Sequence, residues 1–388
     1  MWDIPTLEIG TSKIICMIAA PDRSRNLPIS AILPYEGIKE GSFMDRSRAE
    51  NAIVSVIEDA EVASSRQIGE IIVGVPGCFL KLEKLEVSTE VMGEKVSRGD
   101  IDALRRQAMP TNYADAKHIE TRFAYFTDDD GEIYAEEPIG QKTYTLSACV
   151  VNAYASREFT DVVENALEKL KIDIACYVGE GLAQALHYIP AEERDKSAIL
   201  LDIGQTETTV SAVYADAVLA EATIDMGSFD VTGDLAIAID ADIQTAQNLR
   251  RNYIFGIDAD HGDLIFGKDE TGRMRGYDVV KVRSTIEKRM RIILGEVEKA
   301  IQEMSDVLFP RAAVYLSGAD SQTRGITQFI ASVMDKEVRS VYKSGNMLSA
   351  EYNTSLALLD NEAHSLYDLK KDHSQKKSLN EKFLGLFR

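Results

Sequence analysis

Two short segments of this chain combine an acidic residue, a glycine and small hydroxylated or amide side chains in an order suited to holding a polyphosphate. The first is Leu7-Glu8-Ile9-Gly10-Thr11-Ser12-Lys13 and the second Leu201-Asp202-Ile203-Gly204-Gln205-Thr206-Glu207-Thr208. A tight turn with short side chains presents several backbone N–H groups in a concave nest, which receives phosphate oxygens. Around Gly10, the residues Thr11, Ser12 and Lys13 add hydroxyls and a cation, and around Gly204 the residues Gln205, Thr206 and Thr208 add further donors. Facing one another, the two turns would clamp one nucleotide. Glu8 and Asp202, just ahead of the turns, would then stand where a hydrated Mg2+ bridges phosphates, because a hard cation prefers carboxylate and water oxygens. One such turn alone is more often structural, so the signal lies in the pair.

Each turn needs strands to hold it. Residues 7–20 read as strand, turn and strand, and residues 198–214 repeat that order about half a chain later. The spacing is too long for a solenoid repeat and suits a duplicated domain. A third related feature, AVYLSGADSQTRGI at 313–326, reads as a strand running into a glycine-containing turn and then a helix. Between these landmarks, 49–63 is helical and IIVGVPG at 71–77 is a buried strand stopped by Pro76-Gly77. Residues 79–155 carry strand-like segments around the helical DIDALRRQA, with an acidic loop at Asp128-Asp129-Asp130-Gly131, and read as a small inserted α+β unit. From Phe159 the apolar positions Val162, Val163, Ala166, Leu167 and Leu170 take helical spacing, with Ser156 as cap. A long charged helix covers 286–304, and 363–378 reads as a polar linker.

At 388 residues the chain exceeds the range of about 250 to 300 residues in which one core suffices, so two lobes are expected. The formal net charge of -20 argues against nucleic acid as a partner. The four cysteines, Cys16, Cys78, Cys149 and Cys176, are far apart, without metal-ligand spacing, and read as buried apolar residues. No catalytic residue stands out, since the five histidines are scattered and none falls in a recognisable motif with Ser or Cys. Neither a signal peptide nor a membrane-spanning run is legible, so a cytoplasmic protein with at most peripheral membrane contact is expected.

Against the acidic body, the last residues are basic. In 379–388, Leu379, Phe383, Leu386 and Phe387 fall on one side with Leu384 flanking, and Asn380, Lys382 and Arg388 occupy the polar sector. Such a helix lies on an anionic membrane surface, its aromatics at the acyl boundary and its cations each contributing about 1 kcal/mol near the lipid. So short an anchor binds marginally alone and becomes effective when many are displayed on one polymer.

These segments together resemble the actin/Hsp70/hexokinase-like ATPases and, within them, the FtsA family of bacterial division proteins. LEIGTSK resembles the first phosphate motif, LLDIGQTETTV the second and VYLSGADSQTRGI the adenosine motif. YVGEGLAQALHYI resembles the segment ahead of the second phosphate motif, PIGQKTYTLSACVVNAYAS the end of the subdomain peculiar to the family, and the terminal helix the family's membrane-targeting helix. The resemblance implies an α/β, actin-like (ribonuclease H-like) duplicated two-lobed fold with an inserted α+β 1C subdomain and a C-terminal amphipathic helix. It implies subdomain 1A at 1–78, 156–190 and 350–362, subdomain 1C at 79–155, subdomain 2A at 191–228 and 305–349, and subdomain 2B at 229–304. ATP and Mg2+ are the implied cofactors, with Gln247, Arg250, Gly318, Ala319 and Gln322 at the adenosine. Departures accompany the likeness: Glu8 stands where Asp is usual, Gly204-Gln205-Thr206 replaces three glycines, and Gln247 and Arg250 stand where Glu and Lys are usual. One extra methylene at residue 8 would shift a metal-bound water by about 1 Å, enough to impair in-line attack. ATP binding with weak or absent hydrolysis follows.

The resemblance also implies partners. Subdomain 2B would receive the C-terminal peptide of the tubulin-like division protein FtsZ, with Arg283 and Arg289, from the basic and apolar segment 279–294, in charge-assisted contacts. Self-association into a polymer, attachment to the cytoplasmic face of the membrane at the division site, and recruitment of other division proteins through subdomain 1C complete the expectation. An alternative is a pilus-assembly adaptor like PilM, which shares the phosphate motifs but not the terminal helix. A small-molecule kinase of the same superfamily would need a catalytic Asp and a substrate pocket that the sequence does not display.

Overall fold

The computed structural model describes residues 4–19, 27–258, 260, 262–308, 311–342 and 348–360. The linker at 363–378 and the helix expected at 379–388, with Leu379, Phe383, Leu384, Leu386 and Phe387, lie outside the described residues. The description therefore concerns the body.

Two five-stranded sheets carry the architecture, and they share one topology. In the first, the order is Ile29–Pro34, Lys13–Ile18, Thr6–Ile9, Glu70–Val75, Asp173–Gly179; in the second it is Ala217–Ile224, Thr208–Tyr214, Ala198–Ile203, Ala313–Ser317, Val338–Ser340. In each, an antiparallel meander supplies the first three strands, and the last two run parallel to the strand that precedes the turn. The strand preceding the second turn reads as an apolar run, Ala198 to Leu201, because both of its faces are covered. On the first sheet, helices Arg46–Ser64 and Arg157–Leu170 bury Ile53, Val56, Phe159 and Val163 against Leu7, Ile14 and Val73. On the second, helices Ser228–Ile239 and Val279–Glu303 bury Val231, Leu235, Ile286 and Ile293 against Leu201, Val210 and Leu316. Two cores built on two like sheets are the structural form of the duplication.

Helix starts follow local chemistry. Ser156 accepts from the Phe159 N–H at 3.2 Å, as the spacing of apolar residues implied. Asp278 caps the longest helix by accepting from the Lys281 N–H at 2.8 Å, so the segments 279–294 and 286–304 form one element of 25 residues. A third sheet is inserted between Glu70–Val75 and Arg157–Leu170. It comprises Leu80–Glu90, Thr145–Ser156, Ala116–Asp128 and Ile133–Tyr134, and helix Arg98–Gln107 packs Ile101 and Leu104 on Val87, Phe126 and Leu146. Its opposite face reaches the second lobe, where Cys149 and Val151 meet Ala217 and Leu219. Of the cysteines, Cys16, Cys149 and Cys176 are buried and Cys78 is half-buried; none of the four forms a disulfide. Among the described residues no helix is long and apolar enough to cross a membrane.

Candidate functional site

The two turns are built alike. Gly10 N–H donates to Lys13 O at 2.9 Å, and Gly204 N–H donates to Glu207 O at 2.9 Å. The strands place both turns at the mouth of one cleft of about 1190 Å³ between the lobes. They meet across it, the Thr206 N–H lying 3.5 Å from Thr11 Oγ1. Gly204 is required by its own turn, since a Cβ there would stand 2.8 Å from Glu207 O. Gly318, at φ +88°, ends the fourth strand of the second sheet so tightly that a Cβ would lie 2.2 Å from Ile203 O. The backbone can therefore approach a ligand closely from three sides.

Gly10, Thr11, Ser12, Lys13, Gly204 and Gln205 line the cleft, as do Glu8 and Asp202. Thr208 does not: it is fully buried and donates to Met226 O at 2.8 Å. The reason is the period of the strand. Thr208 already pairs with Ile203 in the ladder, so its side chain has turned inward and the phosphate role expected for it lapses. Gln247, Arg250, Gly318, Ala319 and Gln322 also line the cleft, at the end formed by helix Ile243–Arg251 and the turn after Gly318. Arg250 is buried, donating from Nε to Thr232 Oγ1 at 3.0 Å and from Nη1 to the Asp320 carboxylate. It thus ties two helices to that turn and stiffens the wall. Ser321, buried in the same wall, has a hydroxyl with no partner among the described residues, a donor available to a ligand.

The opposite end of the cleft is acidic. Glu8 accepts from the Ser355 hydroxyl, and Asp202 from Gln184 Nε2 at 2.7 Å, while Gln184 is itself held by Ser317. Burial holds the Glu8 carboxyl above its ordinary range, opposed by Lys13 and the Ser355 hydrogen bond, with the Asp202 charge adding to the rise. Asp202 is raised by burial too, opposed by Gln184 and Lys13. Glu180, from helix Glu180–Tyr188, is raised further by burial and by the charges of Glu8, Asp202, Glu221 and Glu207. Lys13 is the cation that faces Glu8 and Asp202; its Nζ donates to Glu351 O at 2.6 Å. This excess of hard, negative oxygen fits a divalent cation. Among the described residues no three His, Cys, Asp or Glu side chains converge as direct ligands, so Glu8 and Asp202 would hold Mg2+ through water, which that ion retains readily. When bound, the cation would neutralise phosphate charge between the turns. Glu180, Glu207 and Glu221 had no place in the sequence-based site, because their meeting depends on how the lobes close.

Arg283 and Arg289 stand outside the cleft, and the structure does not bring them together. Six positions apart on one helix, they lie about 120° apart around its axis. Arg283 donates to Glu287 at 3.1 Å and to Ile257 O at 3.1 Å. Arg289 makes a two-pronged contact with Asp234 at 2.6 and 2.8 Å.

No family model matches the chain. Among solved structures, the PilM-PilN type IV pilus biogenesis complex superposes with a TM-score of 0.60 at 17% identity, covering 92% of this chain and 97% of that one. MreB5 of Spiroplasma citri bound to ADP superposes with a TM-score of 0.56 at 10% identity, covering 95% and 98%. The chain thus has an actin-like fold. In sequence it is 22% identical over 350 residues to cell division protein FtsA of Neisseria meningitidis serogroup B, covering 87% of this chain and 83% of the relative. Its identity to FtsA of Rhizobium meliloti is 23% over 363 residues, covering 87% and 80%. Over most of its length the chain is thus similar to FtsA cell-division proteins, at low identity.

Proposed function

We propose that this chain is an actin-like cell-division protein that binds ATP with Mg2+ in the inter-lobe cleft, polymerises, and tethers FtsZ filaments to the cytoplasmic face of the membrane at the division site. The observation that carries the reading is the pair of like turns, Gly10–Lys13 and Gly204–Glu207, meeting across one cleft. Hydrolysis is weak or absent. Glu8 is a methylene longer than aspartate and is engaged by Ser355, and displacing a metal-bound water by about 1 Å suffices to slow in-line attack strongly. Nucleotide occupancy then sets assembly, and assembly multiplies the weak tethers at 379–388. The inserted sheet is the surface for other division proteins, the role of the family's 1C subdomain. Contact of an FtsZ tail peptide with Arg283 and Arg289 would exchange Glu287 and Asp234 for carboxylates of the peptide, so Arg283→Glu or Arg289→Glu should abolish its capture.

The test is liposome co-sedimentation of the full chain and of a truncation ending at Lys377, with and without ATP. The full chain should sediment with anionic vesicles, more strongly with ATP, and the truncation should stay in solution; equal binding by both would sink the anchor. The superposition on PilM favours a second reading, a pilus-assembly adaptor. That reading predicts no lipid binding by either form and no capture of an FtsZ tail peptide.

A further inference from the structure

The face of the second sheet that meets the first lobe is polar. Strands Thr208–Tyr214 and Ala217–Ile224 pair Thr209 with Thr223 and Ser211 with Glu221. Alternate residues share a face, so these side chains form one patch, with Glu221 as its charged member. Glu221 Oε2 accepts from the Ser211 hydroxyl at 2.6 Å, and its Oε1 has no hydrogen-bond partner among the described residues. The carboxyl is seated against two glycines of the first lobe. A Cβ on Gly181 would lie 2.2 Å from Oε2, and one on Gly77 would lie 3.0 Å from Oε1. The lobes close over this side chain only because both positions lack a side chain of their own.

The groups around it are mostly of like charge. Helix Glu180–Tyr188 contributes Glu180, whose Oε1 is also without a partner among the described residues. Asp202 and Glu207 come from the second turn and its strand, Cys78 sits beside Glu207, and Glu8 comes from the first strand. Lys13 faces Glu8 and Asp202. From the inserted sheet, Glu120 and Arg122 line a small cavity of about 20 Å³ together with Glu221, but they are paired with each other at 2.8 Å. Burial raises the Glu221 carboxyl, the Ser211 hydrogen bond opposes the rise and the Asp202 charge adds to it, leaving it at about 7.

We propose that Glu221 is a proton-operated latch between the lobes: its neutral carboxyl lets the two glycine-lined surfaces stay together, and its ionisation drives them apart. A buried carboxylate without a counter-charge is costly, and separation of the lobes lets water reach it. The sign follows from linkage. The closed joint binds the proton more tightly than the open one, so the proton's contribution to closure is complete below the ordinary carboxyl value of 4.5 and is lost as pH rises from there through about 7. If the open carboxyl returns to its ordinary range, the closed-to-open ratio falls by up to about two orders of magnitude between that range and about pH 7, and levels off above it.

Hydrogen exchange read by mass spectrometry on the full, nucleotide-free chain tests this, from about pH 5 to about pH 8.5, through the expected fall and the plateau above it and corrected for the chemical exchange rate. Peptides covering 76–80, 179–183 and 208–224 should lose protection progressively as pH rises to about 7 and level off above it in the unmodified protein. Glu221→Gln, neutral throughout, should keep the low-pH protection at every pH, and Ser211→Ala, which removes the hydrogen bond opposing the rise, should move the end of the fall to higher pH. A flat profile in the unmodified protein, or the same step in Glu221→Gln, overturns the proposal. Should Glu221→Gln fail to fold, Glu221→Asp draws the carboxyl back from Gly181 and should shift the step to lower pH; an unmoved step overturns the latch. No nucleotide enters the experiment, so its failure leaves the reading of the cleft untouched.

Discussion

The turn Gly10–Lys13 and the turn Gly204–Glu207 share a backbone and differ in charge. Each closes with the same N–H to carbonyl bond between its first and fourth residues, on sheets of the same strand order. The first ends in Lys13, which reaches Glu351 O. The second ends in Glu207, buried and raised by that burial, with the thiol of Cys78 opposing and the Asp225 charge adding to the rise. Duplication thus supplies two copies of a backbone cradle, and later divergence gives the cation to one lobe and acids to the joint beside the other. One lobe contributes attraction for a polyphosphate; the other contributes the tight glycine backbone and the wall built on Arg250 and Asp320.

The largest effect should come from the second lobe's backbone. Gly318→Val combines a disfavoured positive φ with a side chain driven into Ile203 O, and should destabilise by more than about 3 kcal/mol in urea unfolding. Glycine substitution then separates the turns. Gly204→Ala places a Cβ 2.8 Å from a carbonyl, whereas Gly10→Ala places one at 3.3 Å. The former should cost about 1 to 3 kcal/mol and the latter under about 1 kcal/mol by the same measurement; equal costs would mean the turns are not as distinct as described.

Charge gives the next contrast. Lys13→Ala should weaken ATP by roughly 10- to 100-fold in equilibrium titration, the value of about 1.5 to 3 kcal/mol for a charged hydrogen bond. Glu207→Gln should leave the affinity unchanged or raise it. Smaller still, Thr208→Ala should lose about 1 kcal/mol of stability without changing ATP affinity, and Thr11→Ala should do the reverse.

Stability should also fall as pH rises, because the acids at the joint hold protons more tightly folded than unfolded. Glu8, Glu180, Asp202, Glu207 and Glu221 are all raised from ordinary values of 4.5 for Glu and 3.8 for Asp. Their contribution is complete below those ordinary values and is lost as pH rises through the folded ones, about 7 for Glu221. Thermal unfolding across that window should show the decline, and Mg2+ with ATP should flatten it by replacing protons with a bound cation.

What the sequence displayed was local. Gly10, Gly204 and the Ser156 cap are legible because a turn or a helix start is decided within a few residues. Thr208 reads in sequence as one more hydroxyl of the turn, and its burial shows only once its strand is paired with Ala198–Ile203. The pairings of Arg283 with Glu287 and of Arg289 with Asp234 show the same limit: a basic helix looks uniform in sequence, and its neighbours decide which cations are already engaged. Glu180, Glu221 and the Arg250–Asp320 pair depend on elements that meet only when the sheets are assembled. The spacing of Gly77 and Gly181 gives no hint that both flank one carboxyl.

The central claim is that two turns from two lobes clamp one nucleotide. Calorimetric titration of Mg2+ with ATP into the full chain, alongside Lys13→Ala on the first turn and Gln205→Ala on the second, tests it most directly. One nucleotide per chain is expected, with affinity reduced in both variants and most in Lys13→Ala. Absence of saturable binding, or a loss confined to one turn, would contradict it.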